Sequence, residues 1–524
     1  MPPIIVNRLP NDLTDLRYLQ QTRSRNQVIG DSPDAKCACK PLKLSLQNIE
    51  IDRNKGEDRG GKMGFSATYL LDLYVGTGIS GLTAYHFLHR FLTPLLPNLQ
   101  IDAYESYKSP SIGIGGTLGL APNGLYTIKL ISQEAHSAIL ASGFPCAKFE
   151  FRNSNGKVLG LMSTGSPDRY PGTGGEVMHS RAAIYGEILK VLERQGARIH
   201  YGKTVVGVVT KEEGVEVTFK DGEVVMADLV IGADGIKSTV RKAAFPGVEA
   251  RFEGLVGVGS TIPYSAVPSS EHPKEIPYDY KNSKYSPTVM TFGSNGFFGY
   301  SPINSKTGDE GRYQWWSTAE SNNEDRDLPI EEIEQQLLER HKDWVNPEGE
   351  KVIDSIIRFA IQQHKDSAET DRSKRILVLP NYFMQTMEQY HSDDGRILLM
   401  GDSAHVMPPH SGQGVSLASE DGYIYARLLA HEIQRTKAAE SKDYKAALST
   451  AGKYYTEMRK PRSDKIMAIA ARSGNMKRNL SWWEEKSRDF FFGLFLRFAP
   501  DSIHDGTFGY KADEEVDKFL STKS

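Results

Sequence analysis

Leu70-Leu-Asp-Leu-Tyr74-Val-Gly76-Thr-Gly78-Ile-Ser-Gly81-Leu-Thr-Ala-Tyr-His-Phe87-Leu88 decides the fold. Its first six residues form a short apolar run, the pattern of a strand buried in a parallel sheet. Three glycines spaced G-x-G-x-x-G follow. Beyond them Leu82, Ala84, Phe87, Leu88 and Phe91 recur at helical spacing until Pro94. Strand, glycine turn and helix is the context in which this spacing has meaning. Glycines let the backbone turn tightly and approach a pyrophosphate, and the helix N-terminus faces the phosphate charge. Leu99–Tyr104 reads as the next strand, closing a βαβ unit. Glu105 ends it, 24 residues past Gly81, where an acidic side chain binds ribose hydroxyls.

Two further glycine-rich segments follow in order. Asp228-Leu-Val-Ile-Gly232-Ala-Asp234-Gly235 is a buried strand ending in Asp-Gly. Ser238 and Arg241 come next, placed to hold phosphate or to cap a helix. The other segment is Gly401-Asp402-Ser-Ala-His405-Val-Met-Pro-Pro409-His-Ser-Gly412-Gln413-Gly414, after a buried strand at 396–400. Asp402 is placed to accept hydrogen bonds from ribityl hydroxyls, and Pro409 to shape the loop. Gly412-Gln413-Gly414 opens a helix whose free N–H groups would face the N1–C2=O edge of an isoalloxazine. Together the three segments outline one bound flavin. His405 reads as a structural hydrogen-bonding residue, and Glu420 and Asp421 as solvated or capping carboxylates. Arg181 opens a helix over Ser180–Gln195, either as a surface arginine or as a bidentate grip on a pyrophosphate.

The 524 residues are too many for one ordinary core. We divide them into a polar leader at 1–66, a Rossmann-like FAD-binding part at 67–249, a β-rich substrate domain at 250–385, a second FAD-binding part at 386–440 and a helical region at 441–524. The expected fold is α/β, with the Rossmann-like domain interleaved with the mostly β domain and C-terminal helices added. Within the leader, 52–62 is nearly all charge and glycine, the composition of disorder. A net charge of −3 gives no electrostatic footprint for nucleic acid. Three cysteines, Cys37, Cys39 and Cys146, make no disulfide framework and no zinc site, so a reducing, cytoplasmic setting and no metal are expected. No stretch reaches the ~18 apolar residues that span a bilayer. The run Phe490–Ala499 is either a packed helix or a patch that touches membrane or a partner.

These motifs resemble those of single-component FAD-dependent aromatic hydroxylases, the class A flavoprotein monooxygenases. Over roughly 68–480 the chain is most similar to fungal members near the salicylate-hydroxylase branch. Gly76, Gly78 and Gly81 match the dinucleotide motif, Asp234 and Gly235 the DG motif, and Gly401 through Gly414 the GD motif. Arg181 falls where the family has a helix arginine near the FAD phosphates. Pro122-Asn123-Gly124 resembles its Pro-Asn turn, and Arg459-Lys-Pro-Arg462 its basic C-terminal helix segment. Departures are Thr77 for the usual alanine, Ser106 for a common basic residue, and Phe252–Gly259 for a Tyr/Arg-bearing strand.

The resemblance implies that NAD(P)H reduces FAD, and that O2 then gives a flavin C4a-hydroperoxide which hydroxylates an aromatic, phenolic or polyketide-like molecule. Its site would be apolar and aromatic; Phe292, Phe297, Phe298, Tyr300, Trp315 and Trp316 are the candidate wall, half of which periodicity alone would assign to plain sheet core. No catalytic base can be chosen. Epoxidation of an isoprenoid alkene, or a catalytically silent flavoprotein, are the alternatives. The run at 490–499 favours a greasy substrate or peripheral membrane contact.

Overall fold

The computed structural model describes residues 71–110, 116–273, 285–368, 374–441 and 443–523. The polar leader expected at 1–66 and the opening residue of the first strand lie outside them.

A five-stranded parallel sheet runs in the order Ile397–Leu399, Leu229–Gly232, Leu71–Val75, Gln100–Glu105, Ile199–Tyr201. The three glycine segments therefore leave three adjacent strands at their carboxyl ends, where open α/β sheets bind ligands. Leu229, Val230 and Ile231 are fully buried, as a central parallel strand covered on both faces must be. The helices Ile79–Leu92 and Gly414–Ala438 pack together over this sheet. A three-stranded meander of Val205–Thr210, Val215–Phe219 and Val224–Ala227 lies antiparallel; Gly222 in its second turn has φ +90°.

A seven-stranded sheet runs in the order Leu377–Met384, Ala250–Pro263, Arg312–Glu320, Gly296–Pro302, Val289–Gly293, Lys148–Asn153, Val158–Ser163. Its last two strands precede residue 250, so a single cut there does not separate the two sheets. Val289–Phe292 pairs in parallel with Glu150–Asn153, and a parallel pair needs a long crossover; the intervening FAD-side chain is that crossover. Helices Ile330–His341 and Val352–Asp366 cover one face of this sheet. The long C-terminal helices are Lys445–Asn475 and Trp482–Phe498. Pro122-Asn123-Gly124 is not a turn but the first turn of the helix Pro122–Ile131; proline at the first helical position loses no bonded N–H.

Candidate active site

One cavity of about 1610 Å³ runs from the glycine segments to the open face of the seven-stranded sheet. Gly76, Gly78, Glu105, Arg181, Asp234, Gly235, Asp402, Pro409, Gly412, Gln413 and Gly414 all border it. Gly81 does not. A Cβ there would sit 2.1 Å from the Gly76 carbonyl oxygen, so this glycine lets the helix close onto the turn. Gly76 has φ +95°, and a Cβ would lie 2.5 Å from the Ala233 carbonyl. Gly78 differs: the nearest atom to its Cβ position is Arg181 Nη2, 3.7 Å away. The space over Gly78 is open, and a guanidinium overlooks it.

Two helices begin at this cavity, Ile79–Leu92 after Gly78 and Gly414–Ala438 after Gln413. Neither start has a side-chain cap or an acidic residue in its first turn. Their N–H groups and positive dipole ends remain for an anion or a carbonyl edge. Gly412 adopts the left-handed conformation, φ +65°, that swings the chain into the second helix. Gln413 is buried, and its Nε2 has no protein partner among the described residues. An orphaned buried donor beside uncapped helix starts fits a flavin ring edge, and the Gly78 opening beneath Arg181 fits a pyrophosphate.

The Glu105 carboxylate is held by four donors. Oε2 accepts from the Thr77 N–H and hydroxyl at 3.0 and 2.9 Å. Oε1 accepts from the Ser106 hydroxyl and the Tyr107 N–H, each at 3.0 Å. Thr77 and Ser106, the two departures from the family pattern around this site, thus both serve to fix Glu105. Asp234 caps the short helix Thr239–Ala244, accepting from the Thr239 and Val240 N–H groups. Arg241 is buried and donates to the carbonyls of Asp402 and Ser403 at 3.2 and 2.9 Å. It fastens the second glycine segment to the third and is not a phosphate ligand. Asp402 is exposed to the cavity, and desolvation by the surrounding protein raises its pKa above the ordinary carboxylate value.

Behind the cavity lies a buried ionic network that the sequence pattern concealed. Glu420 and Asp421 are neither solvated nor capping. Arg459 donates to both, and Arg462 grips Glu420 through two nitrogens at 2.7 Å. Asn123 Nδ2 bridges Glu420 at 2.8 Å and Gln413 Oε1 at 3.0 Å. Asp421 accepts from the Gly401 N–H at 2.9 Å and pairs with His405 Nε2 at 2.7 Å. The signal for this pairing was Arg459 and Arg462, three residues apart on one helix face.

In the chamber, Phe292 and Trp316 border the cavity, together with Phe297. Phe298 and Tyr300 do not; of the six candidates these two fall to the sheet core that periodicity allows for. Side chains alternate along a strand. Phe298 therefore points to the helix-covered face, stacked on Trp315 at 5.5 Å and against His341. The Tyr300 hydroxyl accepts from Arg152 on that face. The sequence showed aromatic residues but not which parity faced the ligand. Wall residues from outside the 250–385 segment were missed: Phe149, Phe151 and Met162 from the early strands, Met476 just past the helix Lys445–Asn475, and Phe492 from the helix Trp482–Phe498. Glu176 also borders the cavity; burial pushes its carboxyl up to about 8. Among the described residues no cluster of His, Cys, Asp and Glu is arranged to hold a metal.

This architecture, two sheets sharing a cavity lined by three glycine segments, is that of a flavoprotein. The FAD binding domain family matches residues 186–458, and the chain belongs to that family. It is 26% identical to an FAD-dependent monooxygenase of Penicillium crustosum, over 75% of this chain and 76% of that protein. It is 25% identical to 6-methylsalicylate 1-monooxygenase of Aspergillus terreus, over 68% and 73%. Its fold matches HpxO of Klebsiella pneumoniae, crystallised with FAD and uric acid, with TM-score 0.62 and 18% identity over 86% and 96%. The chain is an FAD-dependent oxidoreductase of the class A flavoprotein monooxygenases.

Proposed function

We propose that this enzyme uses NAD(P)H and O2 to hydroxylate an aromatic small molecule of phenolic or polyketide-like character. The observation that carries this reading is the continuity of one cavity from the glycine segments to an aromatic chamber. The name of the Aspergillus terreus relative, which acts on 6-methylsalicylate, supports it. FAD, when bound, supplies oxygen activation at the expense of the nicotinamide.

The chain's own residues would do the rest. Arg181 and the start of the Ile79–Leu92 helix would hold the pyrophosphate, Glu105 the ribose and Asp402 the ribityl chain. The N–H groups at 414–416 and Gln413 Nε2 would face the ring edge that becomes negative on reduction. Phe292, Phe297 and Trp316 would exclude water and position the substrate ring. On this reading 67–249 and 386–440 serve the cofactor. The substrate is held by the 250–385 segment together with 148–163 and the C-terminal helices. Screening phenols for stimulated NADPH oxidation, with product mass, tests the proposal. A gain of one oxygen atom is expected, and nicotinamide oxidation that no phenol stimulates would refute it.

One observation favours a second reading, oxygen transfer to an isoprenoid alkene delivered from a membrane surface. The helix Trp482–Phe498 is inverted: Glu485, Asp489 and Leu496 are its buried residues. Trp483, Phe490 and Phe498 are 76%, 65% and 72% exposed. Asp489 faces inward because Asn153 and Arg488 bond it. Phe495 on this helix, with Ile469 and Ile503, is exposed and also borders the cavity. An apolar rim of this kind suits a lipid surface; among the described residues no helix is long and apolar enough to cross a membrane. A cytoplasmic, membrane-peripheral enzyme would cosediment with phosphatidylcholine–phosphatidylserine vesicles, and Phe490→Asp with Phe491→Asp would abolish this. Absence of cosedimentation in the parent protein would remove the second reading.

A further inference from the structure

Lys477 borders the chamber with its Nζ 4.4 Å from the centre of the Phe297 ring. It donates to His410 Nδ1 at 3.0 Å, and His410 Nε2 lies 3.2 Å from Glu253 Oε2. An ammonium only donates, so Nδ1 accepts, Nε2 carries the proton, and the imidazole donates to Glu253. The three residues come from three elements. Glu253 is on the strand Ala250–Pro263, His410 follows Pro409 in the third glycine segment, and Lys477 lies two residues beyond the helix Lys445–Asn475. Glu253 belongs to the stretch that replaces the family's Tyr/Arg strand. Gly474 makes the nesting feasible: a Cβ there would lie 2.7 Å from His410 Cδ2 and 2.9 Å from Glu253 Oε1. Lys477 and His410 border the cavity and Glu253 stands behind them. Among the described residues Lys477 Nζ has no other hydrogen-bond acceptor, and the residue lines the ligand space.

We propose that Lys477 and His410, oriented by Glu253, form a proton-transfer pair that ionises an acidic hydroxyl of the substrate, a phenol or enol lying against Phe297 and Trp316. The inference rests on the hydroxylase reading above. In the step, the substrate O–H bond breaks and the proton passes to the lone pair of neutral Lys477 Nζ. The oxygen keeps the electron pair, and the new ammonium bonds both His410 Nδ1 and the phenolate. Ionisation enriches the ring carbon that must accept an electrophilic oxygen.

The surroundings suit this role. Burial pushes Lys477 down to about 8, with Glu253 opposing, so its neutral form is reached in mildly basic solution. Burial and the Lys477 charge also hold His410 below the usual histidine value, keeping it a neutral acceptor. The other groups facing the pair are Arg478 and Asn381. Arg478 bonds the Glu253 carbonyl at 2.9 Å and Glu320 at 3.0 Å; the Asn381 amide lies 3.4 Å from His410 Nε2.

The test titrates FAD-loaded full-length enzyme with 4-nitrophenol, whose ionised form absorbs visible light. Bound probe should ionise about one pH unit lower than free probe, the size of shift a single opposing charge produces. Lys477→Met should erase that shift, and His410→Gln should reduce it. Lys477→Arg should keep the shift yet lose the rise of rate with increasing pH that marks a base being freed of its proton, because arginine cannot take the proton. An unshifted probe on the parent enzyme, or an unchanged shift in Lys477→Met, overturns the proposal. The hydroxylase reading fails separately, if FAD-loaded protein oxidises NADPH with no phenol dependence.

Discussion

Arg459 Nε donates to Asp421 Oδ1 across 2.7 Å, and solvent reaches neither side chain. Removing the guanidinium would leave buried Asp421 with only His405 and the Gly401 N–H, and Glu420, which shares it, with only Arg462 and Asn123. Losing one partner of a buried ion pair costs about 3–5 kcal/mol. Arg459→Met should therefore unfold at markedly lower denaturant concentration than the parent. FAD affinity should fall with it, because Asp421 fixes the Gly401 N–H and Glu420 fixes Asn123 against Gln413. A variant with parental stability would show the network to be dispensable.

The same network predicts an acid limit. Burial alone would raise Asp421, but His405 and Arg459 more than reverse this; for Glu420 the reversal comes from Arg462 and Arg459. Both carboxyls sit below their ordinary values when folded. Their stabilisation is complete above the unfolded values, near ~4, and is lost as pH falls through the folded ones. Circular dichroism should show the folded protein giving way below about pH 4. Arg459→Met should move that transition to higher pH, and an unmoved midpoint would break the link.

Glu176 has the opposite sign. Desolvation raises it to about 8, so the folded protein keeps it protonated where the unfolded chain would ionise it. Its contribution to stability worsens as pH climbs from the unfolded value to about 8 and is constant beyond. Glu176→Gln removes that term. It should raise stability at pH 8 by on the order of 1–3 kcal/mol and do little at pH 4. Equal effects at both pH values would mean that the gain has another origin.

Gly78 and Gly81 separate ligand space from packing space. A methyl at Gly81 meets backbone at 2.1 Å, whereas at Gly78 it meets nothing nearer than 3.7 Å. Gly81→Ala should destabilise the empty protein by several degrees of melting temperature. Gly78→Val should melt normally when empty and fail to retain FAD, as measured by the flavin absorbance of the purified protein. Normal flavin loading in Gly78→Val would mean that the pyrophosphate does not cross that glycine.

The parallel sheet and its three glycine exits were legible because the three strands that carry them are short, largely apolar runs followed by glycine-rich turns. Eleven of the twelve expected cofactor residues meet at one cavity for that reason. The chamber was less legible. Phe149, Phe151 and Phe492 reach it from strands and helices remote in the chain, and no local periodicity encodes such a meeting. Lys477 and Glu253 carry no motif at all. Glu420 and Asp421 looked like ordinary helix carboxylates because burial is a property of the partner helix, not of their own sequence.

The parity of the Gly296–Pro302 strand yields the last expectation. Phe298 packs fully buried against Trp315 beneath the covering helices, while Trp316 on the neighbouring strand borders the cavity. Truncating a buried phenylalanine removes transfer energy and leaves a void, about 3–5 kcal/mol in all. Phe298→Ala should lower stability by that amount yet leave substrate KM near the parental value in whatever protein stays folded. Trp316→Ala removes a wall of the chamber and not a core contact of that kind, so melting should change little while KM for the aromatic substrate rises tenfold or more, the effect of about 1.4 kcal/mol of lost contact. Steady-state kinetics and thermal melts on the two variants separate the faces: if the larger KM change belongs to Phe298→Ala, the ligand occupies the other side of the sheet.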